Sequence, residues 1–204
     1  YYEVYNQENV TLIDINKTPI ECINENGIKT SEEEFQFDLL IYATGFDGVT
    51  GPYDRIDIKG KEGRCLKEEW TTFPRTLFGM QVDGYPNMLM ILGPHTARGN
   101  IPRNIEEVVE WQTDLISFMM ENEFDRVEPD SAAVDDWINT VSKASEGLLS
   151  SKIASWQTGV NRNVEGRSAP RVLGYNGGAV RYRKIIDSVA TREYQEFLFS
   201  QIGK

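Results

Sequence analysis

Histidine and cysteine are scarce in this chain: among 204 residues there is one histidine, His95, and two cysteines, Cys22 and Cys65. Neither cysteine has a histidine at metal-ligand spacing, so no metal site is expected. Nothing points to an oxidising compartment, and two buried free thiols are expected rather than a disulfide. A lone histidine without a serine or cysteine nucleophile signature cannot be argued into a hydrolytic triad, and His95 is assigned no chemistry. Long apolar runs are missing as well. No stretch approaches the ~18 to 20 consecutive apolar residues that span a bilayer, and no secretory signal is visible at Tyr1, so a cytoplasmic protein without a membrane span is expected. Cationic surplus is also lacking: 21 Lys and Arg stand against 32 Asp and Glu, a net charge of −11. That balance excludes a nucleic-acid partner for the chain as a whole, because phosphate backbones need a cationic surface. No internal repeat and no low-complexity tract is present, and no G-x-G-x-x-G follows a strand.

What is present is a change of period along the chain. Residues 10–15 (VTLIDI) predict a strand, and residues 20–23 and 28–30 flank Asn26-Gly27, a strong hairpin signal. This β-meander leads into residues 35–42, read as a strand whose second half is buried on both faces. Residues 47–51 (DGVTG) form a turn cluster, a short hairpin is expected around Gly60 and Gly63, and residues 87–92 (NMLMIL) read as a short apolar strand. From Asn104 the spacing becomes helical, with Ile105, Val108, Val109, Leu115, Ile116 and Met119 on one face. Further helices are predicted at about 131–149 and 182–199. Between residues 151 and 184, seven Lys and Arg face the single acid Glu165, an island that suits either a phosphate-bearing cofactor or a salt-bridged surface.

Three stretches carry chemistry. The strand at 35–42 opens onto Ala43-Thr44-Gly45-Phe46-Asp47, whose Ala43, Thr44 and Gly45 are small residues at a strand's C-terminal end, where open α/β sheets place ligands. Taken alone they equally describe a strand ending in a tight turn. Residues 93–103 (GPHTARGNIPR) join an apolar segment to a helix start, whose unpaired N–H groups and macrodipole favour partial negative charge. A plain helix cap with a proline in its first turn fits the same residues. Residues 155–161 (SWQTGVN) hold Trp156 in a polar, Gly-containing loop, followed by NVEGR and then YNGGAVRY. An indole there finds its apolar cover and its hydrogen-bond acceptor either in a ligand or in the core.

Alanine-threonine-glycine after an apolar strand resembles the segment with which two-dinucleotide flavoproteins return from the NADPH-binding to the FAD-binding domain, and ATGFD is similar to the Baeyer-Villiger monooxygenases. The SWxxGxN, Gly-basic and YxGG elements resemble the mobile control loop and closing strand of that family. The resemblance implies an α/β fold, the C-terminal part of a two-dinucleotide-binding flavoprotein with a β-meander plus amphipathic helices. It implies that residues 1–45 end the NADPH-binding domain and that 46–204 form the C-terminal part of the FAD-binding domain, with the control loop at about 150–170. Thr44, Gly45 and Asp47 become the domain hinge, Gly93, Asn100, Ile101 and Pro102 the flavin-side wall, and Trp156 a donor to the NADP ribose region. None of these transfers protons. The implied activity needs FAD, NADPH and O2 and inserts oxygen beside a ketone carbonyl, with upstream portions of both domains as partners. Those portions' dinucleotide and F-x-G-x-x-x-H-x-x-x-W-P motifs do not occur here, so the 204 residues alone are expected to be inactive. Two departures stand out: no Pro-Gly-Lys follows Asn161, and Gly174 replaces a bulky aromatic, which suggests a roomier pocket. A flavin-dependent N- or S-oxidising enzyme shares the two-cofactor plan, and a non-catalytic module is the other alternative.

Overall fold

The computed structural model describes residues 1–45, 47–161, 164 and 167–202. Phe46, expected to open the second domain, and Arg162, Asn163, Glu165 and Gly166 of the expected control loop lie outside them. The chain divides into two compact units, Tyr1–Thr44 and Gly45–Lys204.

The first unit is built on the Asn26-Gly27 turn. Asn24 Oδ1 accepts from the N–H groups of Asn26 and Gly27, both at 2.9 Å, and this Asx turn reverses the chain. Strands β1 (Ile20–Ile23), β2 (Gly27–Thr30) and β3 (Glu34–Gln36) follow as an antiparallel meander in the order β1-β2-β3, with Ile28 opposite both Ile23 and Phe35. Gly27 has to be glycine here, because a Cβ would sit 1.9 Å from the Phe35 carbonyl oxygen. Two strand expectations fail in this unit. Residues 10–15 are not a strand: Asp14 accepts from the N–H of Asn16, Lys17 and Thr18, and these local bonds bend the chain out of pairing geometry. Residues 38–42 are not buried on both faces. They pair with no strand among the described residues, and Leu39, Ile41 and Tyr42 are all strongly exposed. The thiols also differ from expectation: Cys22, on the edge strand β1, is exposed, and Cys65 is only half-buried, although both are free.

The second unit is helical around an aromatic core. After two one-turn helices, α1 (Gly51–Asp54) and α2 (Leu66–Glu69), come α3 (Ile101–Glu121), β4 (Arg126–Pro129), α4 (Ser131–Ser145), α5 (Ala179–Thr191) and β5 (Phe197–Ser200). Trp111 on α3 donates its indole N–H to the Ile186 carbonyl of α5 at 2.8 Å and packs edge-on against Tyr194. The Tyr182 hydroxyl donates to the Phe78 carbonyl at 2.7 Å, and complete burial raises that phenol's pKa. The buried face of α3 is Asn104, Val108, Trp111, Gln112 and Leu115, one position aside from the sequence expectation. Ile105, Val109 and Ile116 lie instead on a second apolar stripe that stays exposed.

Left-handed backbone explains the remaining differences. The helix expected to reach 199 stops at Thr191, because Glu193 (φ 56°) and Tyr194 (φ 55°) reverse the chain so that β5 returns antiparallel to β4. Likewise Asn87 (φ 59°) and Leu92 (φ 55°) break both ends of the expected strand at 87–92, leaving an irregular segment tied by Asn87 N–H to Val127 O and Met90 N–H to Met80 O. The hairpin expected around Gly60 and Gly63 is reduced to one bridge between Lys59 and Cys65.

Two glycines of similar conformation separate backbone strain from crowding. At Gly63 (φ 77°) a Cβ would meet nothing within 4 Å, whereas at Gly79 (φ 72°) it would lie 2.1 Å from Thr96 Oγ1. Gly63→Ala is expected to cost about 1 to 2 kcal/mol, the left-handed penalty alone. Gly79→Ala is expected to cost distinctly more, because the 79 and 93–96 backbones must part. Urea unfolding of both variants checks the order, and equal losses would contradict it.

Candidate functional site

The loop at residues 93–100 is held from beneath by backbone bonds. Gly93 N–H donates to Gly79 O at 3.0 Å, and a Cβ on Gly93 would sit 2.6 Å from that same oxygen, so the two segments touch only because both are glycine. Further along, His95 N–H donates to Leu173 O, Tyr175 N–H to Thr96 O, and Arg98 N–H to Tyr175 O, running the loop parallel to residues 173–175. Asn104 Nδ2 reaches back to Ala97 O at 3.0 Å. The YxGG element is therefore structural: Tyr175 is buried, a Cβ at Gly177 would strike its hydroxyl at 2.1 Å, and Gly178 (φ 88°) precedes α5.

His95 lies under this loop rather than in any opening. It is fully buried, in the left-handed region at φ 73°, stacked 5.2 Å from Phe73, with Nδ1 3.1 Å from Thr76 Oγ1. Burial pulls its pKa down to about 4, opposed by the backbone of Val172. At neutral pH the imidazole is therefore uncharged.

Above the loop, α3 begins. Asn100 is its N-cap, accepting from Arg103 N–H at 3.1 Å, and Pro102 occupies its first turn. The N–H groups of Gly99, Asn100 and Ile101 donate to no protein group among the described residues, at the positive end of a 21-residue helix. Ile101 is 62% exposed.

Beside this helix start lies a cleft of about 520 Å³. It is lined by Gly93, Ala97 and Gly99, by the apolar Leu92, Ile101 and Leu173, and by Trp156 and Val49. Val49 (φ 63°) and Leu92 (φ 55°) are bulky residues held in the left-handed region, a strain that structures tolerate chiefly where a site requires it. No carboxylate, imidazole, thiol or phenol lines the cleft among the described residues. It can bind and orient, but it offers no side chain suited to relaying protons.

Trp156 starts a short 3-10 turn, Trp156–Thr158, closed by a capping box between Ser155 and Thr158 and ended by Gly159 (φ 69°). Its indole is 57% exposed, so the core-anchor reading fails. The ring lies over Gly48, where a Cβ would come within 2.9 Å of Cε3. Its indole N–H has no protein acceptor among the described residues. Gln157, the next residue, is gripped by Arg98, whose guanidinium donates to Gln157 Oε1 at 3.0 Å and to Gln157 O at 2.9 Å.

A second arginine fixes the other end of the loop. Arg167, only 3% exposed at its side chain, donates to Asp47 Oδ1 at 3.1 Å and pairs with Asp54 through its other terminal nitrogen. Asn161 Nδ2 adds a 3.2 Å bond to Asp47 Oδ1. Arg171 donates to the carbonyls of Trp70, Thr71, Thr72 and Gly159, and Arg183 pairs with Glu107. Much of the basic island is thus consumed by internal partners.

Of the sequence-derived residues, Gly93, Ile101 and Trp156 line the cleft, Asn100 and Pro102 adjoin it on α3, and Asp47 anchors the loop that carries Trp156. Gly45 (φ 85°) is exposed, and so is Thr44, the last residue of the first unit. Sequence reasoning passed over Arg98, Gln157 and Arg167. The available signal for Arg98 was its place as the one charged residue in 93–102.

No protein-family model matches the chain. Curated relatives do. It is 38% identical over 198 residues to cyclohexanone 1,2-monooxygenase of an Acinetobacter species, 38% identical over 199 residues to a Baeyer-Villiger monooxygenase of Pseudooceanicola batsensis, and 37% identical over 199 residues to the phenazine N-monooxygenase PhzNO1 of Lysobacter antibioticus. Each match covers 97% of this chain and 36% of the relative. Among solved structures, closed cyclohexanone monooxygenase superposes with a TM-score of 0.88 at 35% identity, over 98% of this chain and 38% of that one. The structure of OTEMO in complex with FAD and NADP gives 0.80 at 35% identity, over 98% of this chain and 37% of that one. The chain is homologous to the Baeyer-Villiger monooxygenases over nearly its whole length. It spans little more than a third of theirs.

Two outcomes follow from the buried charges. Arg167→Met strands two carboxylates that keep some water, and the expected loss is about 2 to 4 kcal/mol in urea unfolding, somewhat below that of a fully buried pair. A loss under about 1 kcal/mol would remove the clamp from the list of structural determinants. His95 is held neutral by the fold, so the stability tied to its depressed pKa is present above about pH 6.5 and is lost as pH falls from there to about 4. Over that window wild type should lose up to about 3 kcal/mol more than His95→Gln, the variant serving to subtract the carboxylates. Parallel pH curves would show that the ring is protonated as easily folded as unfolded.

Proposed function

We propose that this chain is the C-terminal part of an FAD- and NADPH-dependent Baeyer-Villiger monooxygenase that converts a ketone to an ester or lactone with O2, and that the enzyme works in the cytoplasm. The observation that carries the reading is the cleft: three backbone N–H groups without partners among the described residues at a helix start, a glycine-rich lining, and an exposed Trp156. FAD and NADPH, when bound, supply hydride transfer and oxygen activation, and this chain's residues hold and enclose them. Gly99, Asn100 and Ile101 N–H groups suit the carbonyl oxygens of a flavin pyrimidine ring, and Gly93, Ile101 and Pro102 wall the ring. Trp156 covers the nicotinamide cofactor and donates its indole N–H to the ribose region, excluding water. Asp47 ties the domain crossing, with Thr44 and Gly45 as hinge, to the loop that carries Trp156.

In this reading residues 1–45 end the NADPH-binding domain and 46–204 belong to the FAD-binding domain. The exposed stripe of α3 (Ile101, Ile105, Val109, Ile116, Met120) and the exposed residues 39–42 support it, since two thirds of the relatives' length lies outside this chain and offers the cover they lack. Oxygen transfer to nitrogen is the second reading, favoured by the phenazine N-monooxygenase at nearly equal identity. Product analysis with a cyclic ketone and an aromatic N-heterocycle separates the two.

The 204 residues purified alone should retain no FAD and oxidise no NADPH, because dinucleotide-gripping Gly-rich turns do not occur in them. A stoichiometric flavin spectrum would contradict this. In the complete enzyme, Trp156→Ala should cost on the order of 1 to 3 kcal/mol of cofactor interaction, seen as slower oxygenation and more hydrogen peroxide per NADPH. The melting temperature should barely change, as the indole is more exposed than buried. Normal coupling in this variant would end the assignment of Trp156 as a lid.

A further inference from the structure

Arg98 is the one charged side chain lining the cleft among the described residues. Among the described residues Arg64, Arg75, Arg167, Arg183 and Arg192 all pair with carboxylates, whereas the Arg98 side chain, like that of Arg171, is held by neutral oxygens alone, in its case those of Gln157. A guanidinium carries five N–H donors, and two are used, so three remain. Space has been made for the group: at Gly174 a Cβ would lie 2.7 Å from Arg98 Nε and 3.2 Å from its Cγ. The room expected from Gly174 is therefore occupied by a cation. Partial burial lowers the Arg98 pKa with no acid to oppose it, while the residue as a whole stays open to solvent and hence to a ligand. In a chain of net charge −11, an unpaired cation facing an apolar cleft is a specific provision.

The geometry points to Arg98 as a specificity residue that binds an anionic group, such as a carboxylate, carried by the substrate. This rests on the reading of the cleft as the substrate and flavin site. A planar fork with free donors suits a carboxylate better than it suits a ketone oxygen. Because Arg98 also grips Gln157, next to Trp156, an anion on the guanidinium would be sensed by the loop that closes the site.

The test uses the complete FAD-loaded enzyme with oxocyclohexane carboxylate and its methyl ester, which differ in charge and little in shape. Wild type should favour the acid by about tenfold or more in kcat/KM, carried by KM, the scale of one charge-assisted hydrogen-bonded contact. Arg98→Gln should bring the ratio to about one, and Arg98→Lys should keep part of it; flavin content and melting temperature report folding of both. Equal efficiency on the two compounds in wild type, or a ratio that survives Arg98→Gln, overturns the inference. So does an equal fall on both substrates with added hydrogen peroxide, which would make Arg98 a loop latch only, or a change confined to the KM for NADPH, which would place the anion on the dinucleotide. Flavin reduction by NADPH without ester from either compound would instead remove the underlying Baeyer-Villiger reading, and the inference with it.

Discussion

The contact on which this architecture turns is the buried guanidinium of Arg167 between Asp47 and Asp54. A desolvated cation is costly unless well paired, and here one of its carboxylates follows the domain crossing while the other ends α1. Asp47 also takes the Asn161 amide, so a residue first noticed as part of ATGFD becomes the point where crossing and loop meet. The position of the Trp156 turn depends on it. Arg171 and Arg98 grip the same loop through neutral oxygens, so three arginines hold one segment, one through carboxylates and two through amide oxygens.

Around that clamp, the cleft is assembled from backbone that would rather be elsewhere. Val49, Leu92 and His95 all sit at positive φ, and Gly79 and Gly93 touch across a contact that admits no side chain. Such conformations persist when neighbours over-determine them. The parallel run of residues 95–98 beside 173–175 does this, with the neutral, buried His95 as a wedge below. The site thus combines a tightly bonded loop at 93–98 with an exposed Trp156 beside it.

Much of this was legible in the sequence, and the failures have physical causes. The Asn26-Gly27 hairpin and the helix after Asn100 follow from local rules, and the motif residues Gly93, Ile101 and Trp156 do converge on one cleft. Residues 39–42 read as a buried strand because their composition is apolar, yet they pair with no strand among the described residues and composition alone does not supply one. The end of α5 was invisible because Glu193 and Tyr194 adopt a conformation that their types disfavour. Arg167 was missed as an individual because a basic island gives no hint of which cation finds a carboxylate, and Arg98 because a lone arginine in a loop carries no spacing that names its partner. Pairing across 113 or 120 positions cannot be read from spacing.

Helix α3 has two apolar stripes, and Val108, Trp111 and Leu115 belong to the core of the unit it sits in, with Phe118 and Met119 packed against it. Substitutions on that stripe are felt as loss of this unit's own fold, while those at Ile105, Val109 or Ile116 leave the fold intact and act on whatever seats against the helix. An element with one face committed and one face open is a seam.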